Sequence, residues 1–316
     1  MAETVCSVAI PTYNRRDVLV RCLDHLDAQT VGPEALQVIV VDDGSPDDTV
    51  AVAQERASRF ADYHVLTQQN SGPGEARNKA LAVASAPLTL FINDDTLLHP
   101  EAIEHHLRIH AEHPKSMVLG TFEFVEEFRH EPLGRLLTEV PLLFAYPLVE
   151  DGDELSAALG ATCNLSVDTG AARDVGFDPW FDFPAVEDVD FSIRLEEAGY
   201  QLRFCAAAQA RHDHHLTVPG IMRTSLIRGL GSARLELKRG PQPKFVEEVR
   251  RSAADRAHLE SLFEQAGSEL TANLELADDG GPIPEGAYDA AGRIFRLGNM
   301  LGALNEPKMV AFAQAA

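Results

Sequence analysis

Through its first 125 or so residues the chain alternates short apolar runs with helical stretches, and this alternation constrains the fold more than any other feature. SVAI (7–10), QVIVVDD (37–43), Tyr63 to Leu66 and LTLFI (88–92) read as strands. Helices are expected from about Arg15 to Gln29, after SPDDT, within GPGEARNKALAVASA and after Pro100. In the second of these, Ser45 is the expected N-cap and Asp48 places charge in the first turn. Strands that are apolar at every position need cover on both faces, so the pattern implies a parallel sheet with helices on either side. In such sheets ligands bind beyond the carboxyl ends of the strands, near a topological switch point.

Two acidic pairs, Asp42–Asp43 and Asp94–Asp95, fall at those carboxyl ends. With a formal net charge of -22, adjacent carboxylates add repulsion unless they are solvated, cap a helix or hold a cation. Either pair alone suits a solvated loop that starts a helix, and Gly44–Ser45 after the first pair helps such a turn. Two pairs at equivalent ends of one sheet point instead to a ligand site. A third acidic group, Glu187-Asp188-Val189-Asp190, opens a helix marked by Phe191, Arg194, Leu195 and Ala198 and ended by Gly199. Three acids in a first turn also complement the helix dipole, and that role is compatible with a chemical one.

From about 126 to 160 the pattern loosens, and LLTEVPLLFAYPLV fits a loop over a cleft as well as a plain packing segment. GATCNLSVD (160–168) reads as a strand. Beyond His215 the chain becomes mainly helical, with breaks at Gly240–Pro241 and around Asp278 to Pro284. A catalytic domain over 1–218 and a helical extension over 219–316 are therefore expected. The extension's helices could pack on their own domain, form a homodimer, bind a partner subunit or dock beside a membrane-bound acceptor.

A pI near 4.8 argues against nucleic acid or an anionic membrane held by bulk charge. Four scattered cysteines without CxxC spacing read as buried free thiols. The N-terminus MAETVCSVAI has neither a basic region nor a long apolar one, and no apolar run approaches the ~20 residues of a membrane span, so a cytoplasmic protein without a transmembrane segment is expected.

The stretches SVAIPTYNRRDVLVRCLDHL, VIVVDDGSPDDT, NSGPGEARNKAL, FINDDTLLHP and NLSVDTGAARDVGFD, the last followed by EDVDFSIRLEEAGY, resemble the family 2 glycosyltransferases in order and spacing. These are inverting enzymes of the GT-A fold, and the resemblance covers roughly residues 5 to 215. It implies an α/β, Rossmann-like, mostly parallel sheet flanked by helices, with a helical C-terminal extension. The implied donor is a nucleotide-diphosphate sugar, with UDP favoured, and the implied cofactor is Mn²⁺ or Mg²⁺. A sugar, a lipid-linked sugar or a small molecule would be the acceptor.

Residue by residue, the resemblance makes Asp95 a metal ligand and sets Asp94 near ribose and phosphate. Asn93 departs from the family pattern, where an Asp is common. Asp42, with Asp43 as second candidate, would accept a hydrogen bond from the base; Tyr13 would lie against that base, and Pro11 and Thr12 would shape the backbone around it. Arg77 would approach the diphosphate, unless it pairs with Glu75 or a surface acid. Asp188 would be the base that deprotonates the acceptor, with Glu187 orienting nearby groups. His212, in the cluster ARHDHHLT, would reach the metal or the diphosphate. Trp180, the only tryptophan, could stack on an acceptor sugar or pack in the core.

Rival classes fail on particular residues. A phospho-receiver leaves the Glu187–Asp188 helix unexplained, and a Rossmann dehydrogenase wants GxGxxG where PTYN stands. A pyrophosphorylase would carry a glycine-rich basic loop there. The remaining alternative is a non-catalytic sugar-nucleotide-binding or scaffold protein of the same fold.

Overall fold

The structure, a computed structural model, describes residues 4–60, 62–143, 148–277 and 281–315. Parts of two segments read above, LLTEVPLLFAYPLV and the break near Asp278, therefore lie outside the described residues. The chain forms two compact units, Met1–Val125 with Leu148–His214, and Glu126–Pro147 with His215–Ala316.

The first unit is built on strands β1 (Cys6–Thr12), β2 (Leu36–Asp42), β3 (Asp62–Thr67), β4 (Leu88–Ile92), β5 (Thr96–Leu98), β6 (Ser116–Gly120), β7 (Glu123–Phe124), β8 (Glu154–Leu155), β9 (Asn164–Asp168), β10 (Gln201–Cys205) and β11 (Ala210–His212). Eight of them form one sheet in the order β3-β2-β1-β4-β9-β6-β10-β8. β1 pairs parallel with both β2 and β4, which makes it the point from which the order runs both ways. β9 is antiparallel to β4 and to β6, and β8 to β10.

β2 is buried at every residue, as its composition requires, whereas β3, at the edge of the sheet, is only half-buried. Helices α1 (Arg16–Asp27), α2 (Thr49–Glu55), α3 (Pro73–Val83) and α4 (Ala102–Glu112) follow β1, β2, β3 and β5 in the chain. α1 turns Leu19, Cys22, Leu23 and Leu26 inward, a spacing that lines one side of a helix. One expectation is corrected here. Ser45 does not cap α2, which begins only at Thr49; Asp47 Oδ1 accepts from both the amide (3.1 Å) and the hydroxyl (2.6 Å) of Thr49 and delays the start. Ser45 Oγ accepts instead from the amide of Asn14, at 2.7 Å.

A small second sheet, β5-β11-β7, stands at the end of β4. Its register places His212 opposite Thr96 and so carries a histidine back to the Asp94–Asp95 pair.

The first unit's remaining helices are α7 (Thr169–Val175) and α8 (Glu187–Glu197); α5 (Glu126–His130) and α6 (Pro132–Glu139) belong to the second unit. That unit also holds α9 (Val218–Arg239), α10 (Pro243–Ala254), α11 (Arg256–Glu275), α12 (Glu285–Leu304) and α13 (Pro307–Ala315). α9 and α12 meet backbone to backbone: a Cβ on Gly302 would collide with the Leu226 carbonyl, and one on Gly229 with the Asn299 carbonyl. Among the described residues no helix is long and apolar enough to cross a membrane.

Candidate active site

β4 ends at Ile92, and Asn93-Asp94-Asp95 turns the chain into β5. Thr96 closes this turn: its amide donates to the Asn93 carbonyl (3.1 Å), and its hydroxyl accepts from the Asn93 amide (3.0 Å) while donating to the Cys163 carbonyl (3.1 Å). Both carboxylates of the pair are buried, Asp94 at 4 % and Asp95 at 3 % exposure. Groups this deeply placed need partners for their charge, and the structure supplies them.

Thr12, the last residue of β1, donates its hydroxyl to Asp94 Oδ2 at 2.8 Å. Arg15 spans the pair, with Nη1 3.1 Å from Asp94 Oδ1 and Nη2 2.9 Å from Asp95 Oδ2. His212 Nε2 and His214 Nδ1 stand 3.2 Å and 3.5 Å from the same Asp95 Oδ2. Phe122 and Phe124 hold the His212 ring by stacking, with centroids 4.4 Å and 5.5 Å away. The Asp213 amide donates to the Asp95 carbonyl at 2.9 Å, which fixes the histidine segment to the acidic turn.

Asp95, His212 and His214 each aim one ligand atom at a common region, all within 4.8 Å of one another. Asp95 Oδ1 is buried and has no hydrogen-bond partner among the described residues. A mixed carboxylate and imidazole set with a spare carboxylate oxygen suits a divalent ion of intermediate softness, so the residues present fit a metal.

The electrostatics divide the pair. Desolvation pushes the Asp94 carboxyl up to about 7, against the lowering charge of Arg15 and with the Asp95 charge adding to the rise. Burial also works to raise Asp95, yet His212, His214 and Arg15 together bring it well below the usual carboxylate range. Asp95 is thus the permanently charged member.

A second cluster sits at the start of α8. Val186, its N-cap, adopts a left-handed φ of 69°, a strained conformation for a β-branched residue. Glu187 is buried, and Arg77 from α3 donates to its Oε1 at 2.9 Å and to Asn93 Oδ1 at 3.1 Å. Arg77, expected near a diphosphate, is itself only 3 % exposed. Asn93, the departure from the family pattern, ties this arginine to the acidic turn. Burial and the neighbouring Asp188 charge push the Glu187 carboxyl up to about 7, with Arg77 opposing. Asp188 is half-buried; it accepts from the Val189 amide at 2.9 Å and the Thr162 amide at 3.4 Å, and desolvation raises its pKa.

The first acidic pair serves backbone. Asp42 Oδ2 accepts from the amides of Gly44 and Ser45, both at 3.1 Å. Asp43 accepts from Gln68 Nε2 (2.8 Å) and from the amides of Ser71 (2.8 Å) and Gly72 (2.9 Å), holding the loop before α3. Pro11 lies within β1 opposite Val41, and Tyr13 is 47 % exposed just beyond it. Trp180 is half-buried, tilted against Phe181 at 6.0 Å.

Two residues at the acidic turn were not singled out from sequence. His214 lay inside the noted histidine cluster. Arg15 had a signal of its own: it follows PTYN at the end of β1, where Asn14 takes a φ of 54° and redirects the chain.

A mostly parallel sheet with an acidic turn beyond its central strand and a carboxylate pair opening α8 defines a GT-A fold. Residues 7–149 match the family model described as Glycosyl transferase family 2, which identifies this segment as a family 2 glycosyltransferase domain. It is 32% identical over 246 residues to a validoxylamine A glucosyltransferase of Streptomyces hygroscopicus subsp. limoneus, covering 68% of this chain and 54% of that protein. The chain thus spans about half the length of that relative. Among solved structures it resembles Staphylococcus aureus TarS 1-349 in complex with UDP-GlcNAc (TM-score 0.55, 17% identity, 93% of this chain and 91% of that one). It also resembles the mannosyltransferase PcManGT of Pyrobaculum calidifontis in complex with GDP-Man and Mn²⁺ (TM-score 0.56, 16% identity, 100% of this chain and 76% of that one).

Proposed function

We propose that the protein is a metal-dependent, inverting glycosyltransferase that moves a sugar from a nucleotide-diphosphate donor, favoured as a UDP-sugar, to an acceptor hydroxyl. The observation that carries this reading is the convergence of His212 and His214 on Asp95, whose second oxygen is buried and unpartnered among the described residues. That TarS is described with UDP-GlcNAc, and PcManGT with GDP-Man and Mn²⁺, supports a sugar-nucleotide donor and a divalent cation.

In this reading Asp95 and His212 hold Mn²⁺ or Mg²⁺, with His214 as a further ligand. A divalent cation there neutralises the charge that builds on a departing diphosphate. Asp94, fixed by Thr12, faces ribose and phosphate. Asp42, with Asp43 second, accepts a hydrogen bond from the nucleobase through lone pairs left after the backbone amides are served. Tyr13 lies against the base, and Pro11 and Thr12 set the backbone there. Asp188 takes the proton of the acceptor hydroxyl, a task favoured by a carboxylate whose pKa is raised. Arg77 acts through Glu187: it holds that carboxylate beside Asp188 and leaves the diphosphate to other groups. Trp180 offers an apolar face to an acceptor sugar. A sugar, a lipid-linked sugar or a small glycosylated molecule fits as acceptor.

Thermal unfolding with UDP, GDP, dTDP and CDP, each with and without Mn²⁺, tests this reading. Saturation at ~100 Kd adds about 2.7 kcal/mol of stability. One nucleotide raising Tm only with Mn²⁺ is expected; no shift with any of the four would contradict it.

A further inference from the structure

Asp95 Oδ2 is the most crowded atom of the site. Arg15 Nη2 lies 2.9 Å from it, His212 Nε2 3.2 Å and His214 Nδ1 3.5 Å. A carboxylate oxygen has only about two lone-pair directions. Oδ1 is buried while both imidazoles lie on the Oδ2 side, so a cation held between them and Asp95 meets Oδ2 and competes there with the guanidinium for the same electrons. The three neighbours are not equally anchored. The His214 side chain is 41% exposed, the Arg15 side chain 32% and the His212 side chain 12%, and His212 is clamped by two phenylalanine rings. Both imidazoles can turn a lone pair to a cation, whereas the guanidinium carries only donors, so the guanidinium is the group a cation displaces, and its second nitrogen on Asp94 Oδ1 gives it a pivot.

Charge explains why it is there. Two adjacent buried carboxylates with no positive partner would be costly to fold, and Arg15 supplies one positive charge shared between them. The same planar fork that spans two carboxylates also matches phosphate oxygens. An arginine displaced by a divalent ion needs a new anion, and a diphosphate brings one to the same place.

We propose that Arg15 is the resident counter-cation of the Asp94–Asp95 pair, that a divalent ion displaces it from Asp95, and that the freed guanidinium then serves the diphosphate. The inference rests on the reading above in which the Asp95 cluster holds a divalent ion. It makes metal and nucleotide loading mutually dependent, because each relieves a cost that the other imposes, and such coupling is reciprocal.

Mn²⁺ binding to the intact, nucleotide-free chain, read by electron paramagnetic resonance of the free ion, tests this. Arg15→Gln is expected to bind Mn²⁺ alone roughly ten-fold more tightly than the parent, within the usual range of such couplings, and to gain less from added UDP. Arg15→Lys, which keeps the charge but loses the fork, is expected between the two, and serves if the glutamine variant does not fold. Unchanged or weaker Mn²⁺ affinity in Arg15→Gln, or an Arg15→Lys indistinguishable from the parent, overturns the proposal. Asp95→Asn separates the two layers: Mn²⁺ bound by it as tightly as by the parent defeats the metal reading itself, whatever Arg15 does.

Discussion

Arg77 and Glu187 form an ion pair at 2.9 Å with side chains only 4% and 5% exposed, and through it the third and eighth helices are tied to one another under the candidate active site. Removing one partner of a buried pair leaves the other charge uncompensated, which typically costs about 3–5 kcal/mol. Arg77→Met is expected to lose stability of that order at neutral pH in urea titrations. The loss should shrink in acid, because the Glu187 carboxyl already titrates near 7 and a protonated Glu187 needs no counter-charge. Arg77→Met combined with Glu187→Gln should recover part of it.

The same arginine sets a rate profile. Desolvation raises the Asp188 pKa, and the Arg77 charge is the strongest influence lowering it. A base works only when deprotonated, so transfer should fall as pH drops through a midpoint above the ordinary carboxylate range. In Arg77→Met that acidic limb should move to still higher pH. A pH profile of kcat/KM for both proteins measures the shift.

Acid should also weaken the fold through a network remote from the chemistry. His106 Nδ1 lies 2.8 Å from Ser166 Oγ and its Nε2 2.9 Å from Asn164 Oδ1, while His110 Nε2 shares the same serine at 2.8 Å. Burial lowers His106 from 6.5 to about 4. Its folded pKa lies below the unfolded one, so the unfolded state binds the extra proton. Stability is fully present above pH 6.5 and is lost as pH falls towards 4, by about 3 kcal/mol for a shift of this size. Glu187 acts in the opposite sense over part of that range, so the comparison must be between proteins. His106→Gln should lose less stability than the parent between pH 7 and 4.5 in urea titrations.

In the second unit the close approach of α9 and α12 leaves no room for a methyl group at Gly302, whose added Cβ would collide with the Leu226 carbonyl and crowd the Gly229 Cα. Gly302→Ala is expected to destabilise by about 1–3 kcal/mol, the usual cost of overpacking, despite the better helix propensity of alanine. Calorimetric unfolding of the two proteins measures it.

How much of this was legible in the sequence follows from how local each signal is. LTLFI becomes β4 over Leu88–Ile92, because a buried parallel strand is apolar at every position and the change to Asn93-Asp94-Asp95 marks its end. The helix in EDVDFSIRLEEAGY was readable from the spacing of Phe191, Arg194–Leu195 and Ala198 and from Gly199 at its end. The antiparallel insertion of β9 between β4 and β6 depends on partners far along the chain, and no residue of GATCNLSVD carries its direction. Ser45 was read as a cap because serine suits that position, whereas the competing bonds of Asp47 to Thr49 lie one turn further on. In the sequence Asn93 stands out only as a departure from the family pattern. Its partner Arg77 stands 16 positions earlier in the sequence, so only the fold reveals that its amide oxygen is in use. Arg15 was overlooked on similar grounds: the acids it spans are about 80 residues away, and an arginine opening an amphipathic helix ordinarily reads as solvent-exposed.

The most direct test of the account is donor turnover by Asp188→Asn. With Mn²⁺ and the sugar nucleotide whose base passes the thermal screen, nucleotide release should be readily measured for the parent. The variant, which keeps the shape but not the basicity of Asp188, should retain Mn²⁺–nucleotide affinity and lose turnover by roughly 10²–10⁴-fold, the usual contribution of a positioned base. Turnover at the parent's rate in Asp188→Asn would contradict the assignment of the base and, with it, the proposed chemistry of the site.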